Sequence, residues 1–505
     1  MTRSKIILLL ALAFLGACKE KERELPEIKP DPERPTPRYA TGQSFHSDLM
    51  GIIVPYDILV PNGYAFDTDK SYPVVYCFHG YGDNYTSWNN EYMKIQSKVE
   101  GLENRGIIPP MIYVFPMGQN TYFCDRWNGE YPYMTMFVTE FVPMIDRTYR
   151  TIADKDHRTV IGYSMGAFGA LATTMQHPEV FSSCGAMSIS MRTDEQYKTE
   201  SQGAFDNQWG SVFGGVGSTG SARITEYYKS ICPLHQFTAE NFDKYSGARY
   251  FITCGDNEKS LLYGNDELHA KMVEAGYDHE YRVGDGGHDE TYWRAALEEI
   301  LPWFVFLMDG GTDWEHKTRT VEVPDDCQFQ IDDAFLSQGY INNGKTEGTA
   351  IYLFYKGLEK SLVRDAMAIL QRGNPMKKYL ILPCEVTAKS VADWIGEWDA
   401  SYTITARQAI AVGEAGTALI RYQTPFSHLY FENTFIEGDI QPNLSAKYYI
   451  GHSDNNPSAS GIHALYVACK DAGANFEYRC RDHVKDARED FLMGFEHIKG
   501  NLKGI

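Results

Sequence analysis

Ser164, His288 and the neighbouring carboxylates Glu258 and Asp256 are the residue types that acyl transfer requires. Such chemistry needs a hydroxyl to attack, an imidazole to take its proton and an acid to hold the imidazole. Ser164 lies at the centre of Ile161-Gly162-Tyr163-Ser164-Met165-Gly166. Glycines two before and two after the serine permit a strand-to-helix bend too tight for side chains at those positions. The bend pushes Oγ into the open and aims backbone N–H groups at the space beside it. Arg158-Thr159-Val160-Ile161 reads as the buried strand before the bend, and Ala167 to Ala172 as a helix whose small residues pack closely.

The remaining groups fall on other turns. The strand Pro73-Val74-Val75-Tyr76-Cys77-Phe78 runs into His79-Gly80-Tyr81-Gly82-Asp83, where a glycine-rich turn lets a backbone N–H face the nucleophile. The N–H groups of Tyr81 and Met165 are the expected oxyanion donors, each worth about 3 kcal/mol of transition-state stabilisation. His288 closes the glycine-rich turn Val283-Gly284-Asp285-Gly286-Gly287-His288-Asp289, ahead of a helix-like Tyr292 to Leu297. It is the expected base, because an imidazole loses and regains a proton near neutrality. The acid should follow the strand Tyr250-Phe251-Ile252-Thr253. Glu258 is preferred there and Asp256 is the alternative, since either carboxylate can accept from Nδ1–H.

These turns must be held by a scaffold. Apolar runs at Tyr72 to Phe78, Met111 to Phe115, Thr159 to Ile161, Ser183 to Ser188 and Tyr250 to Thr253 alternate with amphipathic stretches such as Thr135 to Arg147 and Glu267 to Ala275. Apolar strands without alternation, separated by helices, predict an α/β sandwich with a mostly parallel sheet covered on both faces. Its chemistry belongs at the carboxyl ends of the strands.

Tyr56-Asp57-Ile58-Leu59-Val60-Pro61, Phe78-His79-Gly80, Gly162 to Gly166, His177-Pro178-Glu179-Val180-Phe181 and Gly286-Gly287-His288-Asp289 occur in an order that resembles the putative-esterase family. That family is the esterase-D-like branch of the α/β-hydrolases, with feruloyl, acetylxylan and siderophore esterases and S-formylglutathione hydrolases. The resemblance implies an α/β-hydrolase fold, Ser164 as nucleophile, His288 as base and a late acid near 258. There are two departures from the family pattern. Ala167-Phe168 stands where a second glycine is usual, and Glu258 replaces the acid of the usual Gly-x-x-Asp setting.

The ends and composition add a compartment. Met1 to Lys5 and the apolar Ile6 to Leu15 read as a signal peptide, and Leu15-Gly16-Ala17-Cys18 resembles the bacterial lipobox, making Cys18 the expected lipidation site. Lys19-Glu20-Lys21-Glu22 resembles the export signal of surface lipoproteins, and the prolines from Pro26 to Pro37 predict an extended tether. The expected segments are thus a signal at 1–18, a tether at 19–41, a catalytic domain at 42–312 and a second domain at 313–505. Expected placement is an outer-membrane lipoprotein, at the cell surface or periplasmic face, touching membrane only through its lipid. A net charge of −20 argues against nucleic acid or anionic lipid and suits a neutral substrate. Cys77, Cys184 and Cys254 sit in apolar runs and read as buried free thiols. Cysteine and histidine spacing suggests no metal, and nothing suggests a cofactor.

The second domain echoes the first. Ala446 to Ile450 matches Ala248 to Ile252, Asp454-Asn455 matches Asp256-Asn257, and Glu477-Tyr478-Arg479 matches Glu280-Tyr281-Arg282. In that register Gly413 stands for Ser164, Asn456 for Glu258 and Lys485 for His288, which predicts a smaller, degenerate and inactive copy of the first domain.

The expected whole is a secreted serine carboxylesterase that removes feruloyl or acetyl groups from plant cell-wall polysaccharide such as arabinoxylan. Tyr122 and Trp127, with Tyr131 and Tyr133 beyond, would form an aromatic wall for an acyl ring or a sugar. A siderophore-ester hydrolase and a non-catalytic glycan-binding lipoprotein are the alternatives.

Overall fold

The computed structural model describes residues 38–258, 260–312, 314, 321–323, 347–372, 379–457, 459–484 and 486–501. Cys18, the signal segment, most of the tether and Lys485 lie outside the described residues. The tether was expected to run to 41, but strand β1 already begins at Tyr39. Arg38 fixes that entry through ion pairs with Glu100 (2.7 Å) and Glu103 (3.2 Å), and Tyr39 donates from its hydroxyl to Asp57 at 2.6 Å.

The first half supplies β1 (Tyr39–Ser47), β2 (Ile52–Leu59), β3 (Val74–Phe78), β4 (Ile112–Pro116), β5 (Arg158–Tyr163), β6 (Ser183–Met187), β7 (Arg249–Gly255) and β8 (His279–Gly284). The second supplies β9 (Glu347–Lys356), β10 (Tyr379–Glu385), β11 (Thr403–Gly413), β12 (His428–Thr434), β13 (Lys447–Ser453) and β14 (Asn475–Arg481). All are hydrogen-bonded into one 14-stranded sheet, ordered β1-β2-β4-β3-β5-β6-β7-β8-β14-β13-β12-β11-β9-β10. Strands β3 to β8 pair in parallel, while β1 and β2 form an antiparallel edge. Every residue of β3, β4, β5 and β6 is buried, as strands covered on both faces require.

Helices alternate with these strands: α1 (Ile95–Asn104), α2 (Val142–Thr148), α3 (Met165–Gln176), α4 (Ser260–Ala275) and α5 (Glu290–Met308), then α6 (Lys360–Arg372), α7 (Val391–Ser401), α8 (Gly416–Ile420), α9 (Ala459–Asp471) and α10 (Ala487–Asn501). One apolar cluster runs the length of the sheet on the face of α2, α3, α4, α7, α8 and α9. The opposite face has two clusters, one with α1 and α5 and one with α6 and α10. No helix among the described residues is long and apolar enough to cross a membrane.

Strand order in the second half, β10-β9-β11-β12-β13-β14, repeats that of β4-β3-β5-β6-β7-β8 in the first. The main difference is the set of short helices between Asp194 and Tyr245, which the second half lacks between β12 and β13. Two domains were expected, and their sheets join: β8 and β14 meet edge to edge and antiparallel, with Val283 opposite Cys480. Each edge would otherwise be open at this point, and the contact covers part of both.

Cys77, Cys184 and Cys254 are buried free thiols, and so are Cys124, Cys232, Cys384, Cys469 and Cys480.

Candidate active site

Strand β5 delivers the nucleophile bend. Ser164 sits at φ 56° and ψ −118°, left-handed backbone that a serine adopts only when its surroundings enforce it. The enforcement is close packing by two glycines. A Cβ on Gly162 would lie 2.3 Å from the Gly166 carbonyl oxygen, and one on Gly166 would lie 2.3 Å from that of Phe78. The bend is tied to β6, since Ser164 N donates to Met187 O at 2.9 Å and Ser190 N donates to Ser164 O at 3.0 Å.

His288 arrives on the turn between β8 and α5. Asp289 caps α5 by accepting from the backbone N–H groups of Thr291 and Tyr292, which fixes where that turn ends. His288 Nε2 lies 3.0 Å from Ser164 Oγ, and Nδ1 lies 2.7 Å from Glu258 Oε2. The two contacts specify one neutral tautomer: Nδ1–H donates to the carboxylate, and Nε2 accepts from the serine hydroxyl. The Glu258 side chain is wholly buried, whereas that of His288 is 38% exposed. The base is therefore open to solvent while the acid stays dry.

Glu258 ends a short helical turn, Asp256–Glu258, that follows β7. Its Oε1 accepts from Gly255 N at 2.9 Å and from the Ser188 hydroxyl. Ser188 in turn accepts from Trp293 Nε1 at 2.8 Å, and the Trp293 ring stands edge-on to His288. Asp256, the alternative acid, points elsewhere: Oδ1 accepts from Gly286 N at 3.3 Å and Oδ2 is paired with Arg479. Of the two carboxylates only Glu258 meets the imidazole.

Beside the bend, Phe78 of β3 pairs with Gly162 of β5, so the His79-Gly80-Tyr81 turn lies against Ser164. His79 is buried, accepts from Gly118 N at Nε2 (3.0 Å) and donates from Nδ1 to Gly80 O (2.8 Å). Burial holds its pKa down to about 4, so it remains a neutral brace for the turn. Gly80 leaves no room for a side chain, since a Cβ there would lie 2.8 Å from the Tyr163 ring. Met165 is the first residue of α3, and its N–H has no acceptor within the helix. Tyr81, the other expected oxyanion donor, lies in the turn that follows β3.

The aromatic wall is smaller than expected. Trp127 is 53% exposed and lies over Gly214, and Tyr81 is 40% exposed. Tyr122 cannot contribute: it is fully buried, and its hydroxyl contacts Ser190 Oγ at 3.0 Å and Gln208 Nε2 at 2.7 Å. A left-handed backbone at Tyr122 and Phe123 (φ 57° and 55°) turns both rings inward against Phe168 and Phe78. Tyr133 is buried as well, and Tyr131 is half-buried.

Sequence reasoning missed Ser188, Trp293 and the Gly255 N–H. Ser188 was detectable as the first residue beyond β6, at a strand end beside the nucleophile strand, where a polar side chain reaches the site.

In the second half Gly413 closes β11 at φ 60°, with no side chain to attack an ester, and its carbonyl accepts from Thr434 Oγ1 at 2.8 Å. Asn456, the counterpart of Glu258, donates from its backbone N–H to Ser453 O. Among the described residues, His269, His452 and Cys480 bring potential metal-ligand atoms within 4.8 Å of one another. These residues belong to α4, β13 and β14, apart from the elements that carry Ser164 and His288.

A family model described as Putative esterase matches residues 47–304. An esterase of Mycobacterium tuberculosis is 26% identical over 265 residues, covering 48% of this chain and 54% of that protein. An endo-1,4-beta-xylanase/feruloyl esterase of Xylanibacter ruminicola is 26% identical over 273 residues, covering 51% of this chain and 30% of that protein. Among solved structures, a ferulic acid esterase aligns with 26% identity and a TM-score of 0.45, covering 54% of this chain and 99% of the other. The chain spans about half the length of the first curated relatives it matches.

Proposed function

Because this chain belongs to the Putative esterase family, we propose that it is a serine carboxylesterase that works through Ser164, His288 and Glu258. The observation that carries this reading is the unbroken line from Ser164 Oγ to His288 Nε2 (3.0 Å) and from Nδ1 to Glu258 Oε2 (2.7 Å). Ser164 Oγ bonds to the ester carbonyl carbon as its proton passes to His288 Nε2. Glu258 stabilises the imidazolium, and the Tyr81 and Met165 N–H groups hold the oxyanion. Collapse breaks the ester C–O bond, and the imidazolium returns its proton to the leaving alkoxide. Water then attacks the acyl-serine with the same assistance, releasing the acid and restoring Ser164.

The proposed substrates are feruloyl or acetyl esters on plant cell-wall polysaccharide such as arabinoxylan. Support comes from the name of the Xylanibacter relative, which joins a xylanase to a feruloyl esterase, and from exposed Trp127, a flat apolar surface suited to an acyl ring or sugar. The net charge of −20 favours a neutral glycan over a polyanion. The lipobox before Cys18 supports a lipid-anchored protein of the outer membrane, where such polymers are met.

The test is release of p-nitrophenol from short acyl esters by the purified protein and by Ser164→Ala. Turnover that Ser164→Ala abolishes supports the reading. Equal and negligible rates in both proteins would sink it and favour a glycan-binding role. Comparing methyl ferulate, acetylated xylan and a catecholate siderophore ester assigns the substrate.

A further inference from the structure

The seam between the halves carries two matching ion pairs. Arg282 on β8 binds Asp454, in the turn after β13. Arg479 on β14 binds Asp256, in the turn after β7. Each arginine also meets the acid two residues before it on its own strand, Glu280 at 2.6 Å and Glu477 at 3.4 Å. The edge strand of each half therefore sends one guanidinium to the post-strand turn of the other. This reciprocity is that of a twofold dimer interface, where residue i meets j and j meets i.

The two bridges end on unequal turns. Beyond Asp454 the turn carries Asn456, the counterpart of Glu258. Beyond Asp256 it carries Glu258 itself, bonded to His288. Asp256 also ties that turn to the histidine turn, accepting from Gly286 N at 3.3 Å, while Asn257 N donates to Gly286 O at 2.9 Å. Gly255 fits the same crossing so closely that a Cβ on it would lie 2.4 Å from Gly286 O. The Asp256 side chain is 7% exposed and that of Arg479 is 18% exposed. Burial raises the Asp256 pKa, and Arg479 is the first of the groups that oppose the rise. Without the guanidinium, a buried carboxylate would take up a proton or turn to water, and its grip on Gly286 would weaken.

We propose that Arg479, contributed by the second half, is a positioning residue for the Ser164–His288–Glu258 site, acting through Asp256 to lock the acid turn against the histidine turn. The second half then serves the first as a built-in partner subunit. This inference rests on the esterase reading above. Arg479 acts on geometry alone, and misplacement of a catalytic group by about 1 Å costs up to about a hundredfold in rate.

The test is a double-mutant cycle on kcat for p-nitrophenyl acetate in the full chain, with Arg479→Gln, Asp256→Asn, the double variant, Arg479→Lys and Asp454→Asn. Arg479→Gln should lower kcat about tenfold with KM nearly unchanged, as expected for a group displaced from transition-state geometry. The double variant should be no slower than Asp256→Asn, since the arginine acts through that carboxylate. Arg479→Lys should recover most of the lost rate. Asp454→Asn, which breaks the twin bridge, should lower Tm while kcat stays near that of the unmodified protein.

Three results would overturn the proposal: unaltered kcat in Arg479→Gln, additive losses in the double variant, or an equal kcat loss in Asp454→Asn. If Arg479→Gln fails to fold, Arg479→Lys carries the cycle, with a smaller loss that vanishes in the Asp256→Asn background. Absence of Ser164-dependent turnover in the unmodified protein sinks the esterase reading and this inference together. Ser164-dependent turnover with an indifferent Arg479 sinks this inference alone.

Discussion

Glu258 and His288 leave the ends of two neighbouring parallel strands, β7 and β8, and meet through Oε2 and Nδ1 at 2.7 Å. Asp256, on the same turn, is held away by Gly286 N and Arg479. Glu258→Gln should therefore lower kcat by roughly 10³–10⁴-fold, because an amide no longer selects the Nδ1–H tautomer or stabilises the imidazolium. Asp256→Asn should cost only about tenfold, through displacement of the turn. Steady-state kinetics on p-nitrophenyl acetate compare them, and the reverse order would hand the acid role to Asp256.

Ser188→Ala removes one of the two donors to Glu258 Oε1 and leaves the Gly255 N–H. A hydrogen bond to a charged group is worth about 1.5–3 kcal/mol. We expect kcat to fall about tenfold with KM unchanged. The Trp293 indole N–H loses its acceptor, so the urea midpoint should fall as well.

Gly166→Ala places a Cβ 2.3 Å from the Phe78 carbonyl oxygen, where only backbone movement makes room. Destabilisation of about 2–4 kcal/mol is expected. Gly203→Ala is the control, since a Cβ there meets nothing within 4 Å, and its urea midpoint should match that of the unmodified chain.

Trp127→Ala should separate acyl classes. Loss of an exposed indole face should reduce kcat/KM for methyl ferulate by about tenfold, corresponding to about 1.4 kcal/mol of ring contact. Hydrolysis of p-nitrophenyl acetate, which has little acyl surface to lose, should change less than twofold. Parallel losses on both esters would remove Trp127 from the acyl site.

His483 gives the seam a pH dependence. Its hydrogen bond to Asp454 raises its pKa from 6.5 to about 9. A folded value above the unfolded one means that the stabilisation is complete below about pH 6.5 and is lost as pH rises through about 9. The Tm difference between the unmodified protein and His483→Gln should be largest below pH 6.5 and should close above pH 9. A constant difference across that window would contradict the assignment.

The nucleophile bend was legible because its cause is local. Gly162, Ser164 and Gly166 lie within five positions, and the space they lack is set by the backbone of the same segment and the adjoining strand. The parallel strands were legible for a similar reason, since burial on both faces leaves uninterrupted apolar runs such as Val74 to Phe78. Strand β8 escaped notice because Glu280 and Arg282 break its apolar run, and Asp454, a partner of Arg282, lies in the other half.

Carboxylate choice was only partly legible: the sequence favoured Glu258 and left Asp256 open. Asp256 and Glu258 share one turn, and Arg479, far along the chain, engages the first of them. Tyr122 shows the same limit: composition marks an aromatic loop, but only left-handed backbone at Tyr122 and Phe123 decides that the rings turn inward. The repeat between the halves is written in strand order and in matched segments. The joining of their sheets is not, because a free edge offers the same backbone groups to any partner. Sequence by itself determined the parts whose constraints are steric and near at hand. Tertiary structure alone decided which acid faces the imidazole, which rings face solvent and which edges close, since each depends on charges and surfaces brought together from distant segments.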